Sequence, residues 1–415
     1  MKFINRLYVC RFCKTPLKYT FVNLGMSPIA NTYIKPEDIN KMEPFYPLHV
    51  YVCNKCFLVQ LPSTIAREVH FNNHYAYFSS YAKSWLQHSK NYVDMMMRRF
   101  KFDKRNLIVE IASNDGYLLQ YFKERHIRIL GIEPSGNTAS AAKKKGILTI
   151  VKFFGLEVAR KLIKNKKSAD LIIANNVLAH VPDLNDFVGG MRKLLKPNGL
   201  ITVEFPHLYH LIKNVEFDTI YHEHYSYFSF LTVEKIFAYH NLTIFDVEEI
   251  PTHGGSLRIF AKHIKNKNLP INKSVEKLRN KEINSGHKDI NMYLRFKNQV
   301  QKKKQLFLEY LIRQKKKGKS IVGYGAPAKG NTFLNYCGIG SDLIEYTVDA
   351  SPYKQNHLLP GTHIPIYSPR KIRQTRPDLV VILPWNLRNE VSRQMNFIHS
   401  WGGKFLTTKS TPSVF

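Results

Sequence analysis

The chain has 415 residues, of which 44% are hydrophobic, so it is long enough for two or three domains and apolar enough to fold. Its formal net charge of +31 invites comparison with proteins that bind nucleic acids or membrane surfaces. It has no apolar run of about eighteen residues and no signal-peptide core at its N-terminus, so we expect a cytoplasmic protein that does not insert into a membrane.

Two Cys-x-x-Cys pairs mark the N-terminal segment, residues 1–65. Cys10 and Cys13 form the first pair, and Cys53 and Cys56 form the second. Four thiolates can hold zinc in tetrahedral geometry, and a site closed by four protein ligands is structural, not catalytic. The long stretch between the pairs predicts a zinc-binding domain with a small sheet of its own. A zinc ribbon that binds nucleic acid is the alternative.

A helical connector is predicted over residues 66–103. Its first part, residues 70–80, is rich in aromatic and hydroxyl side chains, and apolar residues then recur at helical spacing from Trp85 to Phe100. Tyr75 and Tyr77 belong to the aromatic part, where they either cover a domain interface or line a binding pocket.

The central segment, residues 104–261, alternates strands and helices as in a doubly wound α/β sheet. An apolar strand that begins at Leu107 leads into a loop of small polar residues and a helix, and ligands bind at this edge of such sheets. The next strand ends at Glu133, where a carboxylate can accept hydrogen bonds from ribose hydroxyls. The loop contains only Gly116 where a dinucleotide site needs three glycines, so a nicotinamide cofactor is not favoured. This pattern resembles S-adenosylmethionine-dependent methyltransferases.

Later elements of the central segment extend that resemblance to the class I methyltransferases. A strand over residues 170–174 is followed by a polar turn at Asn175 and Asn176, and residues 194–206 form a turn and a further strand. His180 follows the first of these strands, where it is either a packing histidine or a group that faces the cofactor.

Residues 221–227, Tyr-His-Glu-His-Tyr-Ser-Tyr, concentrate proton-transfer groups, and we interpret them as the catalytic segment. An aromatic, hydrogen-bonded loop at a domain junction is the alternative interpretation. A metal site formed by His222 and His224 is a weaker one, because His-x-His lacks the i, i+4 spacing of zinc-binding His-Glu-x-x-His helices.

The C-terminal segment, residues 262–415, is predicted to be a second, Rossmann-like α/β domain. It starts with a helix whose lysine-rich face accounts for much of the net charge; without interleaved aromatic residues, we interpret this face as solvated and expect no nucleic-acid partner. A strand then ends in a glycine turn, Gly323 to Gly325, before the next helix. Backbone amides at such a helix N-terminus suit a diphosphate.

Taken together, these motifs resemble the sugar C-methyltransferase family. The two cysteine pairs, residues 113–116, residues 221–224 and residues 323–332 follow the family's order over essentially the whole chain. The resemblance implies a class I methyltransferase domain flanked by a zinc-binding domain and a C-terminal α/β domain that holds a nucleotide sugar. It also implies transfer of a methyl group from S-adenosylmethionine to C3 of a nucleotide-diphosphate-linked 4-keto-6-deoxyhexose, by way of an enolate, in branched deoxysugar biosynthesis.

The resemblance further assigns roles to individual residues. His224 is expected to remove the C3 proton, while Tyr221, Glu223 and His180 orient the sugar or stabilise the enolate oxygen. Contacts to S-adenosylmethionine are expected from Glu110, Ser113, Asn114, Gly116, Glu133, Asn175 and Asn176. Contacts to the nucleotide sugar are expected from Tyr75, Tyr77, Tyr324, Lys329 and Asn331.

Two other functions compete with this one. An RNA or DNA methyltransferase with a zinc ribbon suits the basic charge, but the chain has no Asn-Pro-Pro-Tyr or Asp-Pro-Pro-Tyr segment of the kind that acts on exocyclic amines. A nucleotide-sugar-binding protein without catalytic activity would not bind S-adenosylmethionine. We expect a monomer.

Overall fold

The computed structural model describes residues 8–62, 65–71, 75, 78–408 and 413–414. The strands, in chain order, are β1 (Tyr19–Pro28), β2 (Phe45–Val52), β3 (Val59–Gln60), β4 (Leu107–Ile111), β5 (Arg128–Ile132), β6 (Thr149–Ile150), β7 (Ala169–Asn175), β8 (Leu195–Pro206), β9 (Ser226–Tyr227), β10 (Leu242–Ile250), β11 (Ser256–His263), β12 (Ile321–Tyr324), β13 (Thr347–Val348), β14 (Ile366–Tyr367), β15 (Leu379–Ile382), β16 (Lys404–Thr407) and β17 (Ser413–Val414). The helices are α1 (Arg67–His70), α2 (Lys83–Phe100), α3 (Leu119–Lys123), α4 (Gly136–Lys144), α5 (Leu156–Lys164), α6 (Leu184–Leu194), α7 (Leu208–Lys213), α8 (Phe230–Tyr239), α9 (Lys273–Asn284), α10 (Ile290–Leu294), α11 (Phe296–Lys316), α12 (Ala328–Cys337), α13 (Arg370–Thr375) and α14 (Arg388–Gln394).

The central unit is a seven-stranded sheet in the order β10-β11-β8-β7-β4-β5-β6. All neighbouring strands are parallel except β11, which pairs antiparallel with both β8 and β10. Its inner strands are almost wholly apolar because both faces are covered: Ile108 packs on one side, while Val109 packs on the other against α5 and α6. The chain reverses its direction of travel across the sheet at β4, so a crevice opens beside the carboxyl end of this strand.

The N-terminal unit is a four-stranded antiparallel sheet in the order β1-β2-β3-β9. Its last strand, β9, comes from the proposed catalytic segment and not from the N-terminal residues. Val59 pairs with Tyr227 and Gln60 pairs with Ser226. The small sheet predicted between the cysteine pairs is therefore present, but the central unit supplies one of its edges.

The C-terminal unit is a six-stranded sheet in the order β14-β13-β12-β15-β16-β17, parallel except for β17. Numbered within this unit, the order is 3-2-1-4-5-6, the doubly wound order of Rossmann-like folds. Strand β11 crosses residue 262, where the sequence placed the start of this domain, because Lys262 pairs with Thr243 and Leu200. Helix α9 also packs on the central sheet through Val275 and Leu278, so the chain leaves the central unit after α9.

The three units share hydrophobic cores. The predicted basic helix is α11, and its apolar face packs against the N-terminal sheet, with the rings of Phe21 and Phe296 stacked at 4.4 Å between centroids. The two Cys-x-x-Cys turns, residues 10–13 and 53–56, which we call the first and second zinc knuckles, instead pack on the central unit, together with Leu17 and Leu58. Within the described ranges, no helix is both long and apolar enough to cross a bilayer.

Candidate active site

The catalytic segment, residues 221–227, lies where the three units meet. Thr332 of α12 donates its hydroxyl hydrogen bond to the Ile220 carbonyl at 2.9 Å, just before the segment begins. At the other end, the Tyr225 amide donates to the Ala179 carbonyl at 2.8 Å and the Leu61 amide donates to the Tyr225 carbonyl at 3.0 Å. Both ends of the segment are therefore held by contacts between residues far apart in sequence.

In the His224 ring, Nδ1 makes a hydrogen bond to the backbone, and Nε2 can accept one. Its Nδ1 lies 2.9 Å from the carbonyl oxygen of Thr219, which can only accept, so Nδ1 carries the hydrogen and Nε2 bears a lone pair. Burial lowers the pKa of His224 well below its ordinary value, and the neighbouring His180 lowers it further. His224 is therefore a neutral imidazole at neutral pH, the protonation state that a general base requires.

His180 and Tyr221 flank His224. The His180 ring centroid lies 4.8 Å from that of His224, and the Tyr221 ring centroid lies 4.0 Å from it. Nδ1 of His180 donates to the backbone carbonyl of Glu223 at 2.9 Å, so its Nε2 is also an acceptor. Burial lowers the pKa of His180 to about 4. The structure thus brings His180 against the catalytic segment, beside His224.

Glu223 points to the N-terminal unit. Its Oε1 accepts a hydrogen bond of 2.7 Å from the side-chain amide of Asn31, a residue that the sequence did not single out. Burial raises the pKa of Glu223 to about 7, and the Asn31 hydrogen bond opposes this rise. Nearby, the Tyr33 hydroxyl donates to the Ala326 carbonyl at 2.6 Å, so the segment that contains Asn31 also reaches the C-terminal glycine turn.

The predicted cofactor residues gather at the carboxyl edge of β4, β5 and β7. The Glu133 carboxylate accepts hydrogen bonds from the backbone amides of Asn114, at 2.9 Å, and Ser135, at 2.8 Å, which ties the loop after β4 to the end of β5. Gly116 closes this loop at a φ of +76°, and a Cβ there would lie 2.3 Å from Ile147 Cδ1. Only glycine fits this position without displacing its neighbours.

Several buried polar atoms at this edge have no hydrogen-bond partner among the described residues. They include Oγ of Ser113, Oδ1 of Asn175 and both side-chain polar atoms of Asn176. Glu110 is buried beneath them, and burial raises its pKa well above its ordinary value. Unpaired buried polar atoms are costly, so their concentration here fits a bound ligand with many hydrogen-bonding groups, as an amino-acid nucleoside has.

The connector lies over this edge. The Ser79 amide donates to Asn114 Oδ1 at 3.0 Å, and the Asn137 side chain donates to the Tyr75 carbonyl at 2.8 Å. The ring of Phe71 lies 5.3 Å from that of Tyr75 and 5.5 Å from that of His180, so a single ring separates Tyr75 from His180. Tyr77 lies outside the described residues.

Lys329 lies on α12 of the C-terminal unit, close enough to His224 for its charge to act on that ring. Its Nζ donates to Asn386 Oδ1 at 2.9 Å and lies 4.7 Å from the Trp385 ring centroid. Its positive charge contributes to the lowered pKa of His224. The Trp385 indole donates to the buried carboxylate of Asp218 at 2.5 Å, and this hydrogen bond fixes the ring against which Lys329 lies.

Tyr324 and Asn331 differ from Lys329 in their surroundings. Tyr324 lies in the core on the other face of the C-terminal sheet, with its hydroxyl 3.3 Å from Gln394 Oε1, so the structure does not bring it to His180, Tyr221 and His224. Asn331 is buried on α12, and its side-chain amide has no hydrogen-bond partner among the described residues.

His253 also belongs to this region, although the sequence analysis did not single it out. It sits in the turn between β10 and β11 with a φ of +54°, a backbone conformation that residues other than glycine rarely adopt. Burial lowers its pKa to about 4, with a contribution from Lys329. A cavity of about 30 Å³, enough for a water molecule, is lined by His253, His224 and His207. In the sequence, the only hint of this position was that His253 stands in a Thr-His-Gly-Gly turn.

The four cysteines form one compact cluster. Cys10 Sγ lies 3.5 Å from Cys56 Sγ, Cys13 Sγ lies 3.5 Å from Cys53 Sγ, and all four sulfurs lie within 4.8 Å of one another. These distances fit four thiolates around one tetrahedral zinc. The other group of the described residues with metal-ligand spacing is His207, His210 and Glu249. His222 and His224 are not such a group, and the His222 ring instead faces Tyr46 at 6.0 Å.

Family models match three consecutive stretches of the chain. Residues 10–71 match a model described as "Putative zinc binding domain", residues 84–247 match "Methyltransferase domain", and residues 251–408 match "C-methyltransferase C-terminal domain". The sheet order, these matches and the cysteine cluster confirm the predicted class I S-adenosylmethionine-dependent methyltransferase fold, with its flanking zinc-binding and C-terminal α/β domains. They also confirm S-adenosylmethionine and zinc as the cofactors.

Individual proteins are similar to the chain over nearly all of its length or over part of it. The chain is 34% identical over 406 residues to the C-methyltransferase NovU of Streptomyces niveus, covering 98% of this chain and 96% of that protein. A ubiquinone biosynthesis O-methyltransferase of Rhodopseudomonas palustris (strain HaA2) is 26% identical over 117 residues, covering 26% of this chain and 46% of that protein. Among solved structures, the PH0226 protein of Pyrococcus horikoshii OT3 aligns with a TM-score of 0.38 at 16% identity, covering 45% of this chain and 94% of that one.

Proposed function

Because this chain belongs to the C-methyltransferase family, we propose that it methylates C3 of a nucleotide-diphosphate-linked 4-keto-6-deoxyhexose through a base-generated enolate, in branched deoxysugar biosynthesis. Membership in this family, and with it activity as an S-adenosylmethionine-dependent methyltransferase, confirms the sequence prediction. The sugar, the position on it and the mechanism are our proposal.

The observation that carries the proposal is the state of His224. Carbon accepts a methyl cation equivalent only when it has carbanion character, and a ketone acidifies the hydrogen on the neighbouring carbon. His224 offers an unprotonated Nε2, and its Nδ1–H donates to the Thr219 carbonyl at 2.9 Å. This carbonyl also stabilises the imidazolium that forms when Nε2 takes the C3 proton.

The flanking groups suit different tasks. Nε2 of His180 is an acceptor, because Nδ1 carries the hydrogen that is donated to the Glu223 carbonyl. His180 therefore suits accepting a hydrogen bond from a sugar hydroxyl, whereas Tyr221 has a phenol hydrogen to donate to the enolate oxygen. Lys329 adds positive charge on the C-terminal side, where the enolate or the diphosphate carries negative charge.

The two expected ligands would then meet at His224 from opposite sides. Glu133, the loop after β4, Asn175 and Asn176 would hold S-adenosylmethionine, which supplies an electrophilic methyl group when bound. The glycine turn after β12 precedes α12, whose N-terminal amides suit a diphosphate.

Glu110 adds a hydrogen-bond donor on the cofactor side. It is buried, which raises its pKa, so it remains protonated and can donate a hydrogen bond.

The experiment is to incubate the protein with S-adenosylmethionine and a panel of nucleotide-linked 4-keto-6-deoxyhexoses, and to measure the mass of each sugar. We expect one methyl group on one sugar, at C3 by nuclear magnetic resonance, and no gain with the His224→Ala variant. A panel in which no sugar gains mass while the protein still binds S-adenosylmethionine would reject the proposal. RNA would then be the next substrate to test, because of the net charge of +31.

A further inference from the structure

Arg11 is a charged residue buried inside the first zinc knuckle. It lies between Cys10 and Cys13, and only 9% of its surface is exposed. Taking a guanidinium ion out of water is unfavourable unless its hydrogen-bond donors find acceptors. The acceptors and contacts of Arg11 therefore show what its burial achieves.

The guanidinium of Arg11 contacts both loops that hold the catalytic histidines. Nη1 donates to the Pro182 carbonyl at 2.7 Å, two residues after His180. The guanidinium carbon lies 5.4 Å from the ring centroid of Tyr225, the residue that follows His224. One side chain from the N-terminal unit thus bridges the two loops of the central unit.

Arg11 also binds Leu61, the residue that follows β3, the strand with which β9 of the catalytic segment pairs. Nη2 donates to the Leu61 carbonyl at 2.5 Å, and the Leu61 amide in turn donates to the Tyr225 carbonyl at 3.0 Å. The planar guanidinium presents donors in fixed directions, which lets it hold two carbonyls at once. A lysine ammonium at this position has no planar fork of donors.

The backbone of Arg11 is linked to the cysteine cluster. Its backbone amide donates to Gln60 Oε1 at 2.8 Å, and Gln60 Nε2 donates to Cys10 Sγ at 3.2 Å. Cys10 and Cys13 would both bind the same zinc when the site is loaded, and this would fix the backbone on each side of Arg11. Side-chain orientation and metal geometry are therefore linked through one short turn.

We infer that Arg11 is a positioning residue through which the zinc knuckle sets the relative placement of His180 and His224. The knuckle then acts on catalysis as well as on the stability of the N-terminal unit. The catalytic part of this inference rests on the proposed function, whereas the coupling of the knuckle to the two loops does not. Misplacing a catalytic group by about 1 Å can cost roughly a hundredfold in rate.

The test uses the full-length, zinc-loaded protein and the variants Arg11→Lys and Arg11→Gln. Arg99→Lys is the control for the loss of a guanidinium, because Arg99 pairs with Asp246 at 2.5 Å and contacts the Phe260 ring, far along the central sheet, although it is more exposed than Arg11. Zinc content, affinity for S-adenosylmethionine, kcat and KM are measured for each protein. Amide hydrogen exchange is followed in peptides that cover residues 176–184 and 219–228.

We expect both Arg11 variants to retain zinc and cofactor affinity, with kcat lowered about ten- to a hundredfold and KM changed much less. Exchange should become at least about tenfold faster in the two peptides, and it should not do so in Arg99→Lys. Unchanged exchange in these peptides, or an equal increase in the control, would overturn the inference. Exchange needs no substrate, so this result stands even if no sugar is methylated.

Zinc removal completes the test. In the wild-type protein, a chelator should speed exchange in the same two peptides, because the knuckle no longer orients Arg11. In Arg11→Gln the chelator should add little there, since the connecting side chain is already gone. If the effects of the chelator and the substitution simply add in these peptides, zinc acts by another route and the inference fails.

Discussion

Replacing His224 with glutamine should abolish most of the turnover. Glutamine can still donate a hydrogen bond to the Thr219 carbonyl, which Nδ1 of His224 contacts at 2.9 Å, but it has no basic nitrogen to replace Nε2. Loss of a general base lowers rates about 10²–10⁴-fold, which corresponds to roughly 3–6 kcal/mol of barrier at ~1.4 kcal/mol per tenfold change.

The pH dependence of the wild-type enzyme should follow from the same environment. Burial lowers the pKa of His224 well below its ordinary value, so the neutral, active form persists to lower pH than in a free imidazole. The acid limb of kcat should therefore lie below the ordinary histidine pKa of about 6.5, with a plateau through neutral pH. The same shift makes the folded state less stable as the pH falls from about 6.5 towards the lowered pKa, because His224 in the unfolded chain takes up its proton at a higher pH than in the folded protein.

The assay compares kcat, KM and S-adenosylmethionine affinity for wild type, His224→Gln and the control His222→Gln. His222 is a buried histidine of the same segment whose ring faces Tyr46 and not His180, so its variant should lose stability but little turnover. A His224→Gln enzyme within threefold of wild-type kcat, or an acid limb centred above pH 6.5, would refute the assignment of the base.

Three further results are expected. Cys53→Ser should lose the bound zinc, measured by metal analysis, and lower the Tm by at least about 5 °C; retention of one zinc per chain would contradict the cysteine cluster as the metal site. Lys329→Met should move the acid limb of kcat to higher pH, because the lysine's positive charge helps to lower the pKa of His224, and an unmoved limb would show that this charge does not reach the base. Glu133→Gln should weaken S-adenosylmethionine binding at least about tenfold by calorimetry, since the carboxylate orders the loop after β4, and unchanged affinity would remove Glu133 from the cofactor site.

The zinc cluster and the central sheet could be predicted from short stretches of sequence. A Cys-x-x-Cys turn places two sulfurs together whatever the rest of the chain does, and two such turns in one unit suffice for a metal. Likewise, apolar strands followed by polar turns put Glu133 and Asn175 at one sheet edge, because parallel strands end on the same side. Local pattern decides both features, so one sequence contains enough information.

The substrate side of the site was less accessible to sequence reasoning. Tyr324 and Lys329 are close in the chain, yet Tyr324 packs into the core of the C-terminal sheet while Lys329 reaches Trp385 beside the catalytic segment. Successive strand residues point to opposite faces, and the glycine turn then redirects the chain. A motif therefore marks the region but does not say which side chain faces the ligand.

By itself, the sequence determined which groups are available: four thiolates, an acidic cofactor edge and a segment dense in imidazole and phenol. Only the tertiary structure decided which residues surround them, because Asn31, Arg11 and His253 reach the site through contacts between distant parts of the chain. The pairing of β9 with β3 is the physical reason. It seats the catalytic segment on the zinc-binding unit, and no local pattern encodes a hydrogen-bonded partner more than 160 residues away.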